Sequence, residues 1–331
     1  MPTFKISAIC PVYNEEHYVE KVLQFFDSAY PKEKELIIID GNSTDKTRDV
    51  VNDWAKQHPN IYLIDNPKRY VPYALNLAIP LCKGRYIVRL DAHSDYASDY
   101  FEKILETFEK TNADIVGGPT RTRSKNDFQQ AVSKAICNPF GIGDSKVHQI
   151  DYEGLSDSVT FGAWKKEIFS KTGLFDISLK RNQDDEFHYR SKSLGFNVYQ
   201  HPDIKLYYYP RNTLKGLFKQ YFQYGIYKPI VLWKIKSELK LRHLVPSAFS
   251  LYFGSLPWLA FLNIIFVFPV ILYVFLNIYF SFANNLSLKV KIICLVVYPT
   301  LHISYGLGFL IGLIKLPFMV GIKKAQTIKI N

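Results

Sequence analysis

Hydrophobic positions in the first third of the chain switch back and forth between two periods. Phe4 to Cys10 reads as a strand ending at Pro11, and Glu15 to Ala29 then places Val19, Val22, Leu23 and Phe26 at helical spacing. Glu35 to Ile39 is a short apolar strand ending in Asp40. The polar turn Gly41-Asn42-Ser43 leads from it into a helix from about Thr44 to Gln57. The alternation continues with a strand over Ile61–Ile64, a helix over Val71–Leu81, a strand over Arg85–Leu90, a helix over Tyr100–Thr111 and a strand over Asp114–Gly118. Strands that alternate with helices of this length predict an α/β fold, with a mostly parallel sheet covered on both faces and right-handed crossovers.

A different regime begins at residue 244, after which long stretches carry almost no charge. Val245 to Ala283 is too long for one crossing, since a bilayer core needs about 20 apolar residues, and Pro246, Pro257 and Pro269 offer breaks in it. A second span runs from about Ile292 to Leu313, where Gly306, Gly308 and Gly312 permit close helix contact. Two to three crossings are expected. A buried soluble core is the competing reading, but no partner sequence remains to cover so much apolar surface. Lys234, Lys236, Lys240, Arg242 and His243 precede the first span and Lys323, Lys324 and Lys329 follow the last. Both flanks favour the cytoplasmic side, and hence an even number of crossings. The expected organisation is a catalytic domain over 1–225, a basic juxtamembrane segment over 226–243 and a membrane region over 244–331.

Composition narrows the partners. The 331-residue chain has a formal net charge of +11, yet much of the basic excess lies beside the spans or among acids, which points to anionic lipid and away from nucleic acid. Cys10, Cys82, Cys137 and Cys294 form no C-x-x-C pair, so neither a zinc knuckle nor a disulfide framework is expected. Met1 to Asn14 has only a short apolar run and then turns polar, unlike a signal peptide or an anchor, so the first domain is expected in the cytosol.

The candidate chemistry lies where the strands end. Asp91-Ala92-His93 follows the strand Arg85–Leu90, and open α/β sheets bind ligands outside the carboxyl ends of their strands. With strand geometry continued, Asp91 and His93 point the same way, so a carboxylate oxygen and an imidazole nitrogen can share one divalent cation with phosphate oxygens. A solvated loop acid and loop histidine is the alternative. Pro11-Val-Tyr13-Asn-Glu15 and Asp40-Gly-Asn-Ser-Thr-Asp45 end the first two strands and converge on the same cleft. Asp45 is equally a first-turn acid of the helix behind it. Lys68 and Arg69, in the loop before the Pro72 helix, are placed to neutralise a diphosphate, or else form a basic surface loop. Neither a G-x-x-x-x-G-K-S/T loop nor a G-x-G-x-x-G turn occurs, which speaks against an ATPase or a dehydrogenase.

In this order, the motifs resemble the P-V-Y-N-E, D-G-S-x-D-x-T and D-x-D motifs of family 2 glycosyltransferases of the GT-A fold, over residues 4 to about 225. Within that family the chain looks like the membrane-bound glycosyltransferases of bacterial exopolysaccharide synthesis, of the succinoglycan ExoA type, which also carry D-A-H. The resemblance implies a GT-A catalytic domain followed by transmembrane helices, at the inner membrane, with the catalytic domain facing the cytoplasm. It implies an inverting transfer from a nucleotide-diphosphate sugar, with a UDP-sugar expected, to a polyprenyl-linked oligosaccharide, aided by Mn²⁺ or Mg²⁺. Other glycan-assembly proteins are further partners it implies. A polyprenyl-phosphate glycosyltransferase and a non-catalytic sugar-nucleotide-binding membrane protein are the alternatives. A processive synthase would carry Q-x-x-R-W, which Gln220-Tyr-Phe-Gln-Tyr lacks.

Carried over residue by residue, Asp40 matches the family position that takes the N–H of the base, Glu15 one near the nucleoside, and Asn76 the A-x-N position; helix capping is the alternative role for Asp40 and Glu15. Asn182-Gln-Asp-Asp-Glu-Phe187 resembles the E-D-x-D/E segment whose second residue is the general base, here Asp184, though Gln183 stands where the family usually has Glu. Adjacent Asp185 leaves that choice slightly open, and a cluster of acids at a helix start also serves as capping. Ser158 to Ala163 resembles the acceptor-side strand, in which Gly162 lets a sugar ring approach the backbone. Arg211, in the aromatic stretch Tyr207-Tyr-Tyr-Pro-Arg211, can hold a phosphate of the lipid-linked acceptor or sit in interfacial packing.

Overall fold

The structure is a computed structural model that describes residues 4–327, with side chains as far as Met319. In chain order its first elements are β1 (Ile6–Val12), α1 (Val19–Ser28), β2 (Lys34–Asp40), α2 (Thr47–Gln57), β3 (Ile61–Asp65), α3 (Val71–Ala78), β4 (Tyr86–Arg89), β5 (Asp95–Tyr96) and α4 (Tyr100–Lys110). Then follow β6 (Ile115–Gly117), β7 (Arg121–Thr122), α5 (Asp127–Ile136), α6 (Pro139–Ile142), β8 (Gly154–Leu155), β9 (Ala163–Lys165), α7 (Phe169–Thr172) and α8 (Gln183–Ser193). The last are β10 (Val198–Gln200), β11 (Leu206–Tyr208), α9 (Leu214–Lys234), α10 (Leu241–Leu262), α11 (Phe268–Phe282) and α12 (Leu288–Thr327). Two compact units result, one of residues 1–122 and 146–208, the other of residues 123–145 and 209–331.

The first unit is built on an eight-stranded sheet in the order β3-β2-β1-β4-β9-β6-β10-β8. Pairings β1 with β2, β1 with β4, β2 with β3 and β6 with β10 are parallel. Those of β9 with β4 and β6, and of β8 with β10, are antiparallel. The mostly parallel sheet read from the alternation is thus mixed on one side. The cause is local: Phe161 and Gly162 take left-handed backbone angles, with φ of 58° and 80°, and turn the chain just before the three-residue β9. Ser158 to Gly162, read as part of a strand, forms that turn.

Side-chain alternation along β1 explains why both faces are covered. Ile6, Ala8, Cys10 and Val12 pack with Val19, Leu23 and Phe26 of α1 and Phe101 and Ile104 of α4. Ile9, with Ile37 and Ile39 of β2, packs on the other face against Leu75 and Ala78 of α3 and Phe187 of α8. A period of two with apolar residues on both faces is what a central strand of a two-sided α/β sheet requires. The parallel register sets Val12 beside Asp40 and Asp40 beside Asp65, so the strand ends line up along one edge.

In the second unit, α5 packs Ala131, Val132 and Ala135 against Leu217 of α9 and Val290, Val297 and Leu301 of α12. Among the described residues, three helices are long and apolar enough to cross a membrane: Leu241–Leu262, Ile264–Phe282 and Leu288–Met319. This matches the upper figure expected from the sequence. Three full crossings would place the two basic flanks on opposite sides, so the even number read from those flanks requires one helix to stop short of a full crossing. Lys323 and Lys324 fall beyond the described side chains, and Lys329 lies outside the described residues.

The glycines of α12 do permit close contact. A Cβ added at Gly306 would lie 2.1 Å from the Pro246 carbonyl oxygen, at Gly308 2.2 Å from that of Phe222, and at Gly312 2.5 Å from that of Ile226. Backbone meets backbone here, so no side chain can swing away to make room. Gly308→Ala is therefore expected to destabilise the second unit by about 1–3 kcal/mol, read as a lower unfolding midpoint of the full chain in detergent. Gly254→Ala, where a Cβ meets nothing within 4 Å, is expected to leave that midpoint unchanged or raise it.

Candidate active site

Two loops at the carboxyl ends of β1 and β2 clasp each other through backbone amides and short polar side chains. Asn14 and Asn42 take left-handed angles, with φ of 55° and 63°, a conformation Asn tolerates better than most residues. The Asn14 N–H donates to Ser43 Oγ at 2.9 Å, and the Thr44 N–H donates to Asn14 Oδ1 at 2.8 Å. The Glu15 N–H reaches Thr47 Oγ1 at 2.8 Å, the Glu16 N–H reaches Asp45 Oδ2 at 3.2 Å, and the Lys46 N–H reaches Glu16 Oε2 at 2.9 Å. These bonds delay the starts of α1 and α2 beyond the points that periodicity alone suggests.

Asp45 sits inside this clasp. Its Oδ1 accepts the Thr47 N–H at 3.0 Å and the Thr47 hydroxyl at 2.5 Å. Desolvation works against ionisation, but the bonds from Thr47 and Glu16 hold its carboxyl below the usual range. Asp40, the last residue of β2, is fully buried. Its Oδ2 accepts the Ser43 N–H at 3.0 Å and Arg48 Nη1 at 2.8 Å, and Arg48 also reaches Asp65 at 2.6 Å. The other oxygen, Oδ1, is buried without a hydrogen-bond partner.

Pro11 lies in β1 opposite Ile39, and Tyr13, just past the strand, is 44 % exposed. The Arg69 guanidinium stands 5.4 Å from the Tyr13 ring centroid, and Lys68 is exposed on the same loop. Asn76, on α3, turns elsewhere. Its Nδ2 donates to the Phe175 carbonyl at 2.8 Å and its Oδ1 accepts the Phe175 N–H at 2.9 Å, so both ends of the amide hold the turn that precedes α8. Lys180 makes a second tie to that side, its Nζ donating to the Tyr70 hydroxyl at 2.7 Å.

Just past β4, Glu15, Asp91 and His93 meet. His93 Nδ1 is 3.0 Å from Asp91 Oδ1 and 3.3 Å from Glu15 Oε1. Burial works against a charged imidazole, but the bonds to Asp91 and Glu15 outweigh it and push His93 up to about 10. Burial likewise opposes ionisation of Asp91, while His93 and Arg89 hold its carboxyl below the usual range. Among the described residues, no group of three or more His, Cys, Asp or Glu side chains is disposed to hold a metal ion unaided.

Asp184 is the second residue of α8, which follows Asn182 with φ of 59°. Both its oxygens accept from Arg89 Nη1 at 2.7 Å, and Arg89 Nη2 lies 3.7 Å from Asp91 Oδ2. One guanidinium therefore bridges two acids that are 93 positions apart (184 − 91). Asp185, the next residue of α8, is half-buried, and Glu186 is taken up by Arg190 at 2.9 Å. Gly162 lies alongside: its carbonyl accepts the Arg89 N–H at 3.1 Å, and a Cβ there would stand 2.9 Å from the Trp164 ring and 3.3 Å from His188 Nε2. His188 is buried and held neutral, burial pushing it down to about 4, and its Nδ1 is 2.8 Å from Ser158 Oγ. Arg211 belongs to the second unit, where it is exposed.

Arg89 is the member that sequence reasoning missed. It lay inside a run read as buried strand, and the available signal was the run itself, since a charge within such a strand must find a partner.

Residues 7–173 match the family model described as glycosyl transferase family 2. The succinoglycan biosynthesis protein ExoA of Rhizobium meliloti (strain 1021) is 33 % identical over 267 residues, covering 79 % of this chain and 80 % of that protein. The dolichyl N-acetyl-alpha-D-glucosaminyl phosphate 3-beta-D-2,3-diacetamido-2,3-dideoxy-beta-D-glucuronosyltransferase of Methanococcus voltae is 32 % identical over 239 residues, covering 69 % of this chain and 74 % of that protein. Among solved structures, the mannosyltransferase PcManGT from Pyrobaculum calidifontis, in complex with GDP-Man and Mn²⁺, superposes with a TM-score of 0.59 at 17 % identity, covering 95 % of this chain and 87 % of that one. That likeness concerns the fold, which is of the GT-A type. With a family match from residue 7 to 173 and a third of its residues shared with one relative across most of both chains, the chain belongs to glycosyl transferase family 2 and is a glycosyltransferase.

Proposed function

We propose that this enzyme transfers a sugar, with inversion, from a nucleotide-diphosphate donor, taken to be a UDP-sugar, to a polyprenyl-linked oligosaccharide in exopolysaccharide, capsule or related glycan synthesis. The observation that carries the reading is the Arg89 bridge, which brings the end of β4 and the start of α8 to one point. It sets a carboxylate suited to proton removal beside the Asp91 and His93 pair. Two relatives support the acceptor class by their names, one a succinoglycan biosynthesis protein and the other a dolichyl-linked sugar transferase.

The residues divide the work by chemistry. The buried, unpartnered Oδ1 of Asp40 is an acceptor that the N–H of a nucleobase would satisfy, with Tyr13 and Glu15 beside it. Lys68 and Arg69 supply positive charge for the diphosphate. Asp45 and Asn76 serve the donor site indirectly, by holding the loops that surround it. Asp91 and His93 fit a divalent cation: a carboxylate oxygen and an imidazole nitrogen lie 3.0 Å apart. Asp91 and His93 would hold such an ion together with oxygens of the donor, and the imidazole would favour Mn²⁺ over Mg²⁺. Such an ion, when bound, neutralises charge on the departing diphosphate.

A sugar hydroxyl is a poor nucleophile at neutral pH. Asp184, 26 % exposed, takes its proton as the hydroxyl attacks the anomeric carbon from the face opposite the diphosphate, which inverts that centre. Asp185 and Gly162 line the acceptor side, and Arg211 is assigned to a phosphate of the lipid carrier. The catalytic unit is assigned to the cytoplasmic face of the inner membrane, where nucleotide sugars are held and where basic flanks favour residence.

Asp184→Asn is expected to lower kcat by roughly 10²- to 10⁴-fold while calorimetric donor affinity is retained; full turnover in that variant would remove the base assignment. Chelation with EDTA is expected to abolish transfer, and His93→Ala to weaken metal-dependent donor binding, so an unchanged donor affinity in His93→Ala counts against the ligand role. Purified membranes given a panel of labelled nucleotide sugars should label a lipid-linked oligosaccharide. A monosaccharide on a single phosphate would instead assign the acceptor as polyprenyl phosphate.

A further inference from the structure

We infer that Arg89 is the positioning residue of the general base, holding the Asp184 carboxylate from the buried side so that its outer edge meets the acceptor hydroxyl. The inference rests on Asp184 being the base and adds a residue to that reading.

Arg89 is an unusual occupant of its strand. Val88 before it and Leu90 after it are fully buried, and the Arg89 side chain itself is only 7 % exposed. A guanidinium buried at the end of a central strand is tolerated only when its charge is paired. Here the pairing comes from Asp184, with both oxygens 2.7 Å from Nη1. Asp91 stands further off, at 3.7 Å from Nη2, and Nε has no hydrogen-bond partner. The plane lies over Phe161, with 5.2 Å from the guanidinium carbon to the ring centroid, and the Arg89 N–H is tied to the Gly162 carbonyl. Backbone, ring and carboxylate thus fix the group from three sides.

The consequence for Asp184 follows from the inventory of its lone pairs. Each carboxylate oxygen accepts two hydrogen bonds, and Arg89 uses one on each. Gln183 Nε2 also donates to Oδ2 at 3.4 Å, so the lone pair left over is on Oδ1, and with the carboxylate 26 % exposed an acceptor can arrive there. Asp184 is the second residue of a helix whose first turn also carries Asp185 and Glu186, so a cation beside its carboxylate offsets the repulsion of neighbouring acids. Glu186 is already taken by Arg190. Arg89 supplies the missing restraint, and because the same guanidinium approaches Asp91, the base is held in a set relation to the residue assigned to the donor cation. Proton removal needs the hydroxyl within about 2.6–3.2 Å of the base, and a displacement near 1 Å can cost about 10²-fold in rate. Lysine is a point charge on a flexible stem and lacks the second nitrogen that faces Asp91.

The test uses the full chain in detergent with Arg89→Lys, Asp184→Asn, the double variant and Asp184→Glu. Arg89→Lys is expected to lose roughly 10- to 100-fold in kcat, while the affinity for nucleoside diphosphate with Mn²⁺, measured by calorimetry, stays within about threefold of the parent. Combining it with Asp184→Asn is expected to cost nothing beyond Asp184→Asn alone, because a residue that acts through the base has no effect once the base is gone. Asp184→Glu leaves Arg89 in place and moves the carboxylate by one methylene, so it tests whether the placement of the base matters even where Arg89→Lys does not fold; a kcat loss of the same order as that named for Arg89→Lys is expected. Parental kcat in Arg89→Lys or in Asp184→Glu overturns the inference. So does a further tenfold loss in the double variant, or a donor affinity that falls as far as kcat, since either marks a packing role. An active Asp184→Asn removes the base assignment itself, and the present inference with it, and is read separately from the other outcomes.

Discussion

In-register parallel pairing of β1 with β2 and β4 is the constraint on which the first unit depends. Ile9 pairs with both Ile37 and Arg89, and Val12 pairs with Asp40. The polar residues that end these strands are therefore delivered to one edge together. A slip of one residue would reverse the faces of an entire strand. Because Ile6, Ala8 and Cys10 pack on one face and Ile9 on the other, the register is held by apolar burial on both sides. The chemistry at the edge inherits its position from that burial.

Around this edge the site is stabilised by bonds that bring together distant parts of the chain. The clasp of Asn14, Glu15 and Glu16 with Ser43, Asp45 and Thr47 fixes the two donor-side loops. Asn76 holds Phe175 and Lys180 holds Tyr70, so the segment leading into α8 is anchored on α3 and the loop before it. Arg89 then reaches Asp184 across the end of the sheet. The bonds of Asp45, Lys180 and Arg89 are charge-assisted and those of Asn76 are bidentate, and bonds of these kinds carry geometric specificity as well as energy.

Much of the catalytic unit was legible from periodicity. The strands and helices up to residue 118 occur in the expected order, and the segments rich in branched residues are the buried ones. The starts of α1 and α2 were not legible, since Val19 and Thr47 begin those helices only because the residues before them are engaged in the clasp. Nor was the antiparallel insertion of β9, which depends on left-handed angles at Phe161 and Gly162 that no apolar pattern encodes. Asn76 could be matched to a motif, but its engagement with Phe175, 99 positions away, has no local signature. The glycines of α12 could be read as sites of close approach, whereas the carbonyls they approach, at Pro246, Phe222 and Ile226, belong to other helices.

What the amino-acid order determined by itself is the set of things that depend on near neighbours: strand and helix periodicity, the apolar spans, the acids that follow strands, and the acidic first turn of α8. Tertiary structure decided which of those acids share a partner. Asp45 is spent on Thr47, Asp40 keeps one buried oxygen unpaired, and Asp91 and Asp184 meet at Arg89. The reason is physical: the electrostatic partner of a buried charge is set by distances through space, and those exist only once the sheet has brought β4 and α8 together.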